Sequence, residues 1–214
     1  MAKETNIQTA FQEVMAASGN IPPKQKQVLA ASLALFAEKG FASTTTKEIA
    51  ERAGVAEGTV YRRYRTKDEL LAGVLAPFMT EVLPKLVSEF AEKVVGQTYA
   101  SRHDLVTAVV NDRMQFVVEN QSVLRVLATE ILVRNDLREQ MISRMVPLLQ
   151  QNLYPVLDHL KAIGELVDWP NDRIAQFMIG TMLIQLVRST LTSEEVTGAA
   201  SLIIKFLEKG LAPK

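Results

Sequence analysis

Cysteine is absent from the 214-residue sequence, which excludes disulfide bonds, thiolate metal sites and a cysteine nucleophile. The two histidines, His103 and His159, are not followed three or four residues later by a side chain that could share a metal ion. The sequence also lacks a glycine-rich phosphate loop and a usable set of Ser, His and Asp residues. We therefore expect no metal site, no cofactor and no enzymatic activity.

Long apolar runs are missing as well. The most apolar stretch, Phe177 to Val187, is too short to span a bilayer and ends at Arg188. The first residues, MAKETNIQTAF, lack the basic segment and apolar run of a signal peptide. These features predict a soluble, cytoplasmic protein without a membrane partner.

Signals for β-structure are also absent. The sequence shows no useful length of alternating apolar and polar residues and no Asn-Gly or Asp-Gly pair. Apolar residues recur every three to four positions instead, which predicts an all-α protein. The weak apolar pattern between Ile7 and Met15 ends before Pro22-Pro23, so residues 1–22 are expected to form a mobile arm with a possible short helix.

Cations are concentrated in one region although the formal net charge is zero. Residues 24–75 contain nine Lys or Arg against six acids, and four of the nine fall between Arg62 and Lys67. Tyr61 and Tyr64 are interleaved with these cations. A solvated helix face explains such a run, and so does a surface that attracts phosphates.

Two capping boxes, each a threonine followed three residues later by a glutamate, punctuate this region: Thr45 with Glu48, and Thr66 with Glu69. Gly54 lies between them, where it would end one short helix and begin a turn to the next. Three helices with a tight glycine turn between the second and third have helix-turn-helix connectivity.

The spacing inside this unit supports the same prediction. Ala50 supplies a small side chain where two short helices must touch, and Gly54 follows four residues later at the turn. Val60 comes six residues after Gly54, at the position of an aliphatic side chain that fills the gap between the helices. The three residues together, with both caps, predict a helix-turn-helix.

The stretch from about Val28 to Val74 closely resembles the DNA-binding domain of the TetR family of bacterial regulators. The resemblance lies in ALFAEKGFASTTTKEIAERAGVAEGTVYRRYRTKDELL, about 47 of the 214 residues. Tyr64 departs from the family, which usually has Phe there, and its hydroxyl needs a partner. A mobile arm with a possible short helix is thus expected over 1–22. The resemblance implies a helix-turn-helix domain over 23–74 and a larger helical ligand-binding and dimerisation domain over 75–214.

The resemblance also implies roles at the DNA. Tyr61 and Arg63 are assigned to phosphates, while Arg62 and Thr59 are the candidates for base edges, since arginine pairs with guanine O6 and N7. Lys67 opens the next helix, where its charge favours a phosphate. The residues expected at the DNA are Thr45, Thr46, Lys47, Gly58, Thr59, Tyr61, Arg62, Arg63 and Lys67.

The C-terminal part is predicted to be helical throughout. Pro147 and Pro155 fall inside a predicted helix over 136–161, so kinks or breaks are expected there. Helices predicted near 171–190 and 194–210 either form an ordinary core or, as the resemblance favours, a four-helix dimer interface. The expected interface residues are Phe177, Met178, Met182, Ala199, Ile203 and Phe206.

Methionines in this region suit an apolar or amphipathic small ligand, although they are also common core residues. The candidates for ligand contacts are Phe78, Met114, Met141, Met145, Tyr154 and Phe177. The leading hypothesis is a dimeric repressor that leaves a palindromic DNA operator when a small-molecule inducer binds. The alternative is a DNA-binding protein of the same fold that is controlled by a protein partner.

Overall fold

The structure is a computed structural model that describes residues 6–192 and 198–213. These residues form helices and no strand, so the prediction of an all-α protein is confirmed. The α-helices are α1 Ile7–Ala17, α2 Pro23–Lys39, α3 Thr46–Arg52, α4 Glu57–Arg63, α5 Lys67–Pro77, α6 Leu83–Phe90, α7 Arg102–Glu119, α8 Gln121–Val133, α9 Asn135–Asn152, α10 Tyr154–Ala162, α11 Asn171–Thr192 and α12 Ala200–Gly210.

The chain divides into two compact units. Unit 1 comprises Met1–Leu86 and Ser122–Leu137, and unit 2 comprises Val87–Gln121 and Arg138–Lys214. Unit 1 therefore extends past Val74, where the sequence placed a domain boundary. The physical reason is that Phe78, Met79 and Val82 are buried.

The core of unit 1 is built from the apolar faces of α2 to α5. Helix α2 contributes Leu29 and Phe36, and the start of α5 contributes Leu70 and Leu71, all of them fully buried. Gly40 follows α2 with a φ of 80°, a conformation that favours glycine and ends the helix. The Phe36 ring meets Phe41 edge-on at 5.3 Å between centroids.

Helix α1 is the short helix that the sequence allowed within residues 1–22. The Asn6 side chain caps it by accepting hydrogen bonds from the backbone N–H of Gln8 and of Thr9. Its buried residues are Ile7, Ala10, Phe11 and Met15, and it packs against α2 and the segment Phe78–Val82. Packing of this kind stabilises a helix that would be too short by itself.

Helical residues run without a break from Lys67 to Val95. By length and composition alone this 29-residue stretch could cross a membrane, but half of its most apolar window is buried inside the protein, as in the core helix of a soluble protein. Two π-helical turns interrupt the α-helical geometry, at Phe78–Val82 and Ala91–Val95. The first lies between Pro77 and Pro84, where the missing N–H groups disfavour a regular helix.

In unit 2, helix α7 packs against α11 and α12. Leu105 and Val106 of α7, Ile174 of α11 and Leu207 of α12 form the centre of this core. The predicted helix over 136–161 is two helices, because the chain breaks at Leu153 and Pro155 lies in the first turn of α10. Pro147 remains inside α9.

Unit 2 also contains a half-buried charged cluster. The Arg113 guanidinium lies 3.9 Å from the Phe90 ring centroid and is paired with Asp112 at 2.5 Å, and Lys93 pairs with the other oxygen of Asp112 at 2.7 Å. Burial raises the pKa of Asp112, but hydrogen bonds from Lys93 and Arg113 outweigh it and hold the pKa below its usual value. The two cations thus keep a half-buried carboxylate charged.

The packing of Tyr64 against α5 yields a prediction about stability. A Cβ added at Gly73 would lie 2.8 Å from Cε1 of the buried Tyr64 ring. Gly73→Ala should therefore lower the free energy of unfolding by about 1–3 kcal/mol, because an overpacked side chain strains its neighbours. Urea unfolding followed by circular dichroism measures this change.

The matched control is Gly58→Ala, another glycine within a helix, where an added Cβ meets nothing within 4 Å. Because alanine is the better helix former, this variant should be as stable as the wild type or slightly more so. An equal loss of stability in both variants would contradict the proposed clash with Tyr64.

Candidate DNA-binding interface

The angle between α3 and α4 is fixed by their buried sides. Ile49 and Ala50 of α3 and Val60 of α4 are buried. In the turn between the helices, Gly54 has a φ of 64° and the Val55 N–H donates to the Ala50 carbonyl oxygen at 3.0 Å. The structure therefore has the helix-turn-helix connectivity that the spacing of these residues predicted.

The expected capping box begins α3. The Glu48 N–H donates to Thr45 Oγ1 at 3.2 Å, and the Thr45 N–H donates to Glu48 Oε2 at 3.0 Å. A hydrogen bond from the Lys39 side chain, with those from Thr45, holds the pKa of Glu48 at about 2, below its usual 4.5. The carboxylate is thus charged at neutral pH, when it must accept these hydrogen bonds.

The second capping box is only half formed. Thr66 caps α5 by accepting from the Glu69 N–H at 3.1 Å, as predicted. The Glu69 carboxylate, however, accepts from the N–H of Arg65 at 2.8 Å. The Glu69 side chain thus bonds to the backbone of Arg65, the residue before the cap, and not to the backbone of Thr66.

Tyr64 finds the hydroxyl partner that its departure from the family pattern requires. Gln25 Nε2 at the start of α2 donates to the Tyr64 hydroxyl at 2.9 Å. The ring is buried beside Gly73, and this burial raises the pKa of the phenol. The neutral hydroxyl thus ties the end of α4 to the start of α2.

The predicted DNA contacts lie at the start of α3 and along α4. Tyr61, Arg62 and Arg63 are exposed on α4, and Lys47 is exposed in the first turn of α3. Gly58 and Thr45 are also exposed, while Thr46 and Thr59 are half-buried. Side chains from the two helices meet directly, since the Thr46 and Tyr61 hydroxyls are hydrogen-bonded at 2.8 Å.

Glu57 joins this pair, and the sequence analysis missed it. Thr46 Oγ1 donates to Glu57 Oε1 at 3.1 Å. Because a carboxylate only accepts and Thr46 has one O–H, the Tyr61 hydroxyl donates to Thr46 in turn. Glu57 is exposed in the first turn of α4. An acid in that turn of a recognition helix was a signal that could have identified it.

Lys67 is held by the loop that precedes α3. Its Nζ donates to the carbonyl oxygens of Ala42 at 2.9 Å and Thr44 at 3.1 Å, and it lies 4.6 Å from the Phe41 ring centroid. A phosphate contact by Lys67 stays a prediction, since the ammonium group has three N–H donors and these carbonyls use two. The structure adds a role in shaping the loop.

Residues 28–74 match the family model described as bacterial regulatory proteins, tetR family. Residues 28–74 therefore form a DNA-binding domain of the TetR family. The HTH-type transcriptional repressor Rv3405c of Mycobacterium tuberculosis is 37% identical over 81 residues, which cover 38% of this chain and 43% of that protein.

The likeness to TetR-family regulators extends along the chain. The fatty acid metabolism regulator protein of Bacillus subtilis is 20% identical over 195 residues, covering 90% of this chain and 97% of that protein. The structure of FadR from Bacillus subtilis, in complex with stearoyl-CoA, matches with a TM-score of 0.65 at 17% identity, covering 86% and 98% of the two chains. KstR2 of Mycobacterium tuberculosis matches with a TM-score of 0.61 at 16% identity, covering 92% and 99%. These structures show a shared fold, and the named relatives are regulators.

The expected interface residues of the TetR-like C-terminal part fall on two sides of the last helices. Met178, Met182 and Ile203 are buried in the core of unit 2, and Ala199 is half-buried. Phe177 is 50% exposed and Phe206 is 64% exposed. Further exposed apolar residues of these helices are Leu183, Ile184, Val187 and Leu202.

The expected ligand residues do not form one described group. Phe78 is buried in unit 1, and Met114 is buried in unit 2. Met141, Met145 and Tyr154 are half-buried in unit 2. Phe177 lies at the surface of that unit, where its ring packs against Trp169 at 5.8 Å between centroids.

The contacts of Lys67 lead to a second prediction. Lys67→Ala should lower the free energy of unfolding by about 1–2 kcal/mol, because two carbonyl oxygens lose a charged donor. Chemical unfolding at low salt measures this change. Lys47→Ala is the matched control, since it removes an exposed lysine from the same surface and should change stability by less than about 0.5 kcal/mol. Equal stability of the two variants would show that the loop does not depend on Lys67.

Proposed function

We propose that this TetR-family protein is a dimeric repressor that binds a palindromic operator and is released by an apolar or amphipathic small molecule. The observation that carries the DNA-binding part is the exposed side of α4, where Tyr61, Arg62 and Arg63 stand beside the start of α3. A solvated helix would need neither the glycine turn nor the buried contact that presents this side.

The size of α4 suits a major groove. Its seven residues span about 10 Å, and the groove is about 12 Å wide. Helix N-terminal residues in such motifs reach base edges, while the flanking elements meet the backbone. Lys47 and Arg63 are then placed to neutralise phosphates on either side.

Two side chains of α4 are suited to reading bases. Arg62 offers the paired donors that match guanine O6 and N7. Thr46 fixes Oε1 of Glu57, so the other carboxylate oxygen can accept from the N4 amino group of cytosine. Guanine and cytosine pair with each other, so either contact requires a G·C pair. Each half-site should therefore contain a G·C pair at the position of α4.

The exposed apolar sides of α11 and α12 are suited to a dimer interface. We revise the interface to Phe177, Ile184, Val187, Leu202 and Phe206, because the expected Met178, Met182 and Ile203 are used by the core of the same chain. Aromatic and branched side chains in one exposed set are typical of surfaces that bind another protein. A two-fold dimer would place two recognition helices for a palindrome.

The relatives support a ligand with an acyl chain. The FadR structure contains stearoyl-CoA, and the fatty acid metabolism regulator aligns along nearly the whole chain. Met114, Met141, Met145 and Tyr154 of unit 2 would supply flexible apolar contacts for such a ligand. We no longer count Phe78 among the ligand contacts, because its ring is already buried in unit 1.

Selection of bound duplexes from a random DNA library tests the DNA-binding proposal. The wild type should select a palindrome with a G·C pair in each half-site. Arg62→Ala should lose preference at one position per half-site, at a cost of roughly 1–3 kcal/mol there. Glu57→Gln should lose preference for cytosine but bind random DNA more tightly, because a negative charge leaves the surface.

Gln12→Ala serves as the control, since Gln12 is exposed on α1, outside the matched family region. Equal losses on selected and random DNA in Arg62→Ala would make that residue a phosphate contact, and Thr59 would then be the better candidate for base reading. Absence of any selected palindrome would refute the operator proposal.

Calorimetry with stearoyl-CoA tests the ligand proposal. Binding of ligand and operator must be reciprocal, so the selected duplex should weaken stearoyl-CoA binding by the same factor by which stearoyl-CoA weakens DNA binding. A factor of about 5–150 corresponds to common coupling free energies. Equal affinity with and without the duplex would contradict induction by this ligand and favour control by a protein partner.

A further inference from the structure

The weakest point of the helix that leaves the DNA-binding domain is the π-helical turn Phe78–Val82. Pro77 and Pro84 flank it, and neither has an N–H to donate to the preceding turn. The Leu83 N–H reaches the carbonyl oxygen of Phe78, five residues back, which is the wide spacing of a π-helix. A helix interrupted in this way bends more easily than a regular one.

Helix α1 lies against both α2 and this turn. It packs on α2 and on Phe78–Val82, and Phe11 at its centre is 0% exposed. Beyond the second proline, Lys85 Nζ forms an ion pair with Glu13 of α1 at 2.5 Å. About one turn further along α1, Lys26 of α2 donates to the Ala16 carbonyl oxygen at 3.2 Å.

We propose that α1 is a brace that holds the helix-turn-helix rigidly across this joint and thereby makes the spacing of the two operator half-sites strict. Phe11, Glu13 and Lys85 are then positioning residues, which act on DNA through the placement of α4. The family model begins at residue 28, so α1 lies outside the region that the family match covers. The inference rests on the proposed binding of a palindrome by a dimer.

The contacts of α1 link the DNA-binding helices mechanically to α6. Helix α2 packs on α3 and on α5, and α3 packs on α4, so these four helices form one body. Without α1, that body would be joined to the following helix only through a turn that lacks two backbone donors. With α1, a buried helix face packs on α2 and on the turn itself, and Glu13 adds an ion pair beyond the turn. A displacement of α6 then moves the DNA-binding helices with it instead of only bending the π-helical turn.

The test measures how strictly half-site spacing is read. On the selected palindrome, one added base pair shifts a half-site by about 3.4 Å and turns it by about 35°. The affinity of the wild type for this duplex should be at least about tenfold lower. This loss is larger than the smallest loss usual for one mismatched base pair, about 1 kcal/mol. In Phe11→Ala the ratio of the two dissociation constants should fall to less than about threefold, since the joint can bend to meet the shifted half-site.

Gln12→Ala is the matched control, because Gln12 is the exposed neighbour of Phe11, and it should keep the ratio of the wild type. Glu13→Lys gives a second variant that leaves the buried face intact, and it should lower the ratio in part. Adding Lys85→Glu should restore the ratio, since it rebuilds the ion pair with reversed signs. Hydrogen exchange should be faster over residues 78–86 in Phe11→Ala than in Gln12→Ala, with exchange in α3 and α4 unchanged.

The outcomes separate this inference from the proposed function. If Phe11→Ala weakens binding to both duplexes equally, so that the ratio is unchanged, α1 contributes only stability and the inference is overturned. A wild type that tolerates the added base pair also overturns it while leaving operator binding intact. If the wild type binds no palindrome, the proposed function is refuted. The brace is then tested by hydrogen exchange alone, and equal exchange over residues 78–86 in Phe11→Ala and Gln12→Ala would reject it. If Phe11→Ala does not fold, the Glu13 and Lys85 variants decide.

Discussion

Burial of Ile49 and Val60 is the interaction on which the DNA-facing surface depends. Helices α3 and α4 have seven residues each, which is too short for either to be stable alone. Their position comes from these two side chains, which are 0% exposed. The exposed residues Tyr61, Arg62 and Arg63 therefore do not have to stabilise α4 themselves, because the buried side of the same helix holds it in place.

A second layer of polar contacts sets the finer geometry. Tyr64 replaces the phenylalanine usual in the family, and the added hydroxyl would cost stability if it were buried without a partner. Gln25 supplies that partner, and Gly73 leaves room for the ring. The three positions thus act together, and the departure at Tyr64 is explained by its neighbours in α2 and α5.

The sequence was sufficient where short-range chemistry decides the structure. Ala50, Gly54 and Val60 predicted the helix-turn-helix, because their spacing is fixed by the geometry of two short helices and one turn. It was insufficient where distant segments meet. The packing of α1 depends on Phe78 and Lys85, more than sixty residues away, and nothing within residues 1–22 shows it. Glu57 lies in the first turn of α4, which was a usable signal, but its hydrogen bond with Thr46 of α3 is visible only in the structure.

Helix α11 shows the limit of periodicity most clearly, because it is apolar on two sides. The inner side contains Ile174, Met178 and Met182, which the chain buries itself, and the outer side leaves Phe177 and Ile184 about half exposed. A pattern of apolar residues predicts that a helix is buried but not which side faces its own core. Since water contact with the outer side is unfavourable, a second copy of the chain would remove from water what one copy cannot cover. The same helix would then stabilise both the fold and the dimer, so that stability and binding to a palindrome would both depend on protein concentration.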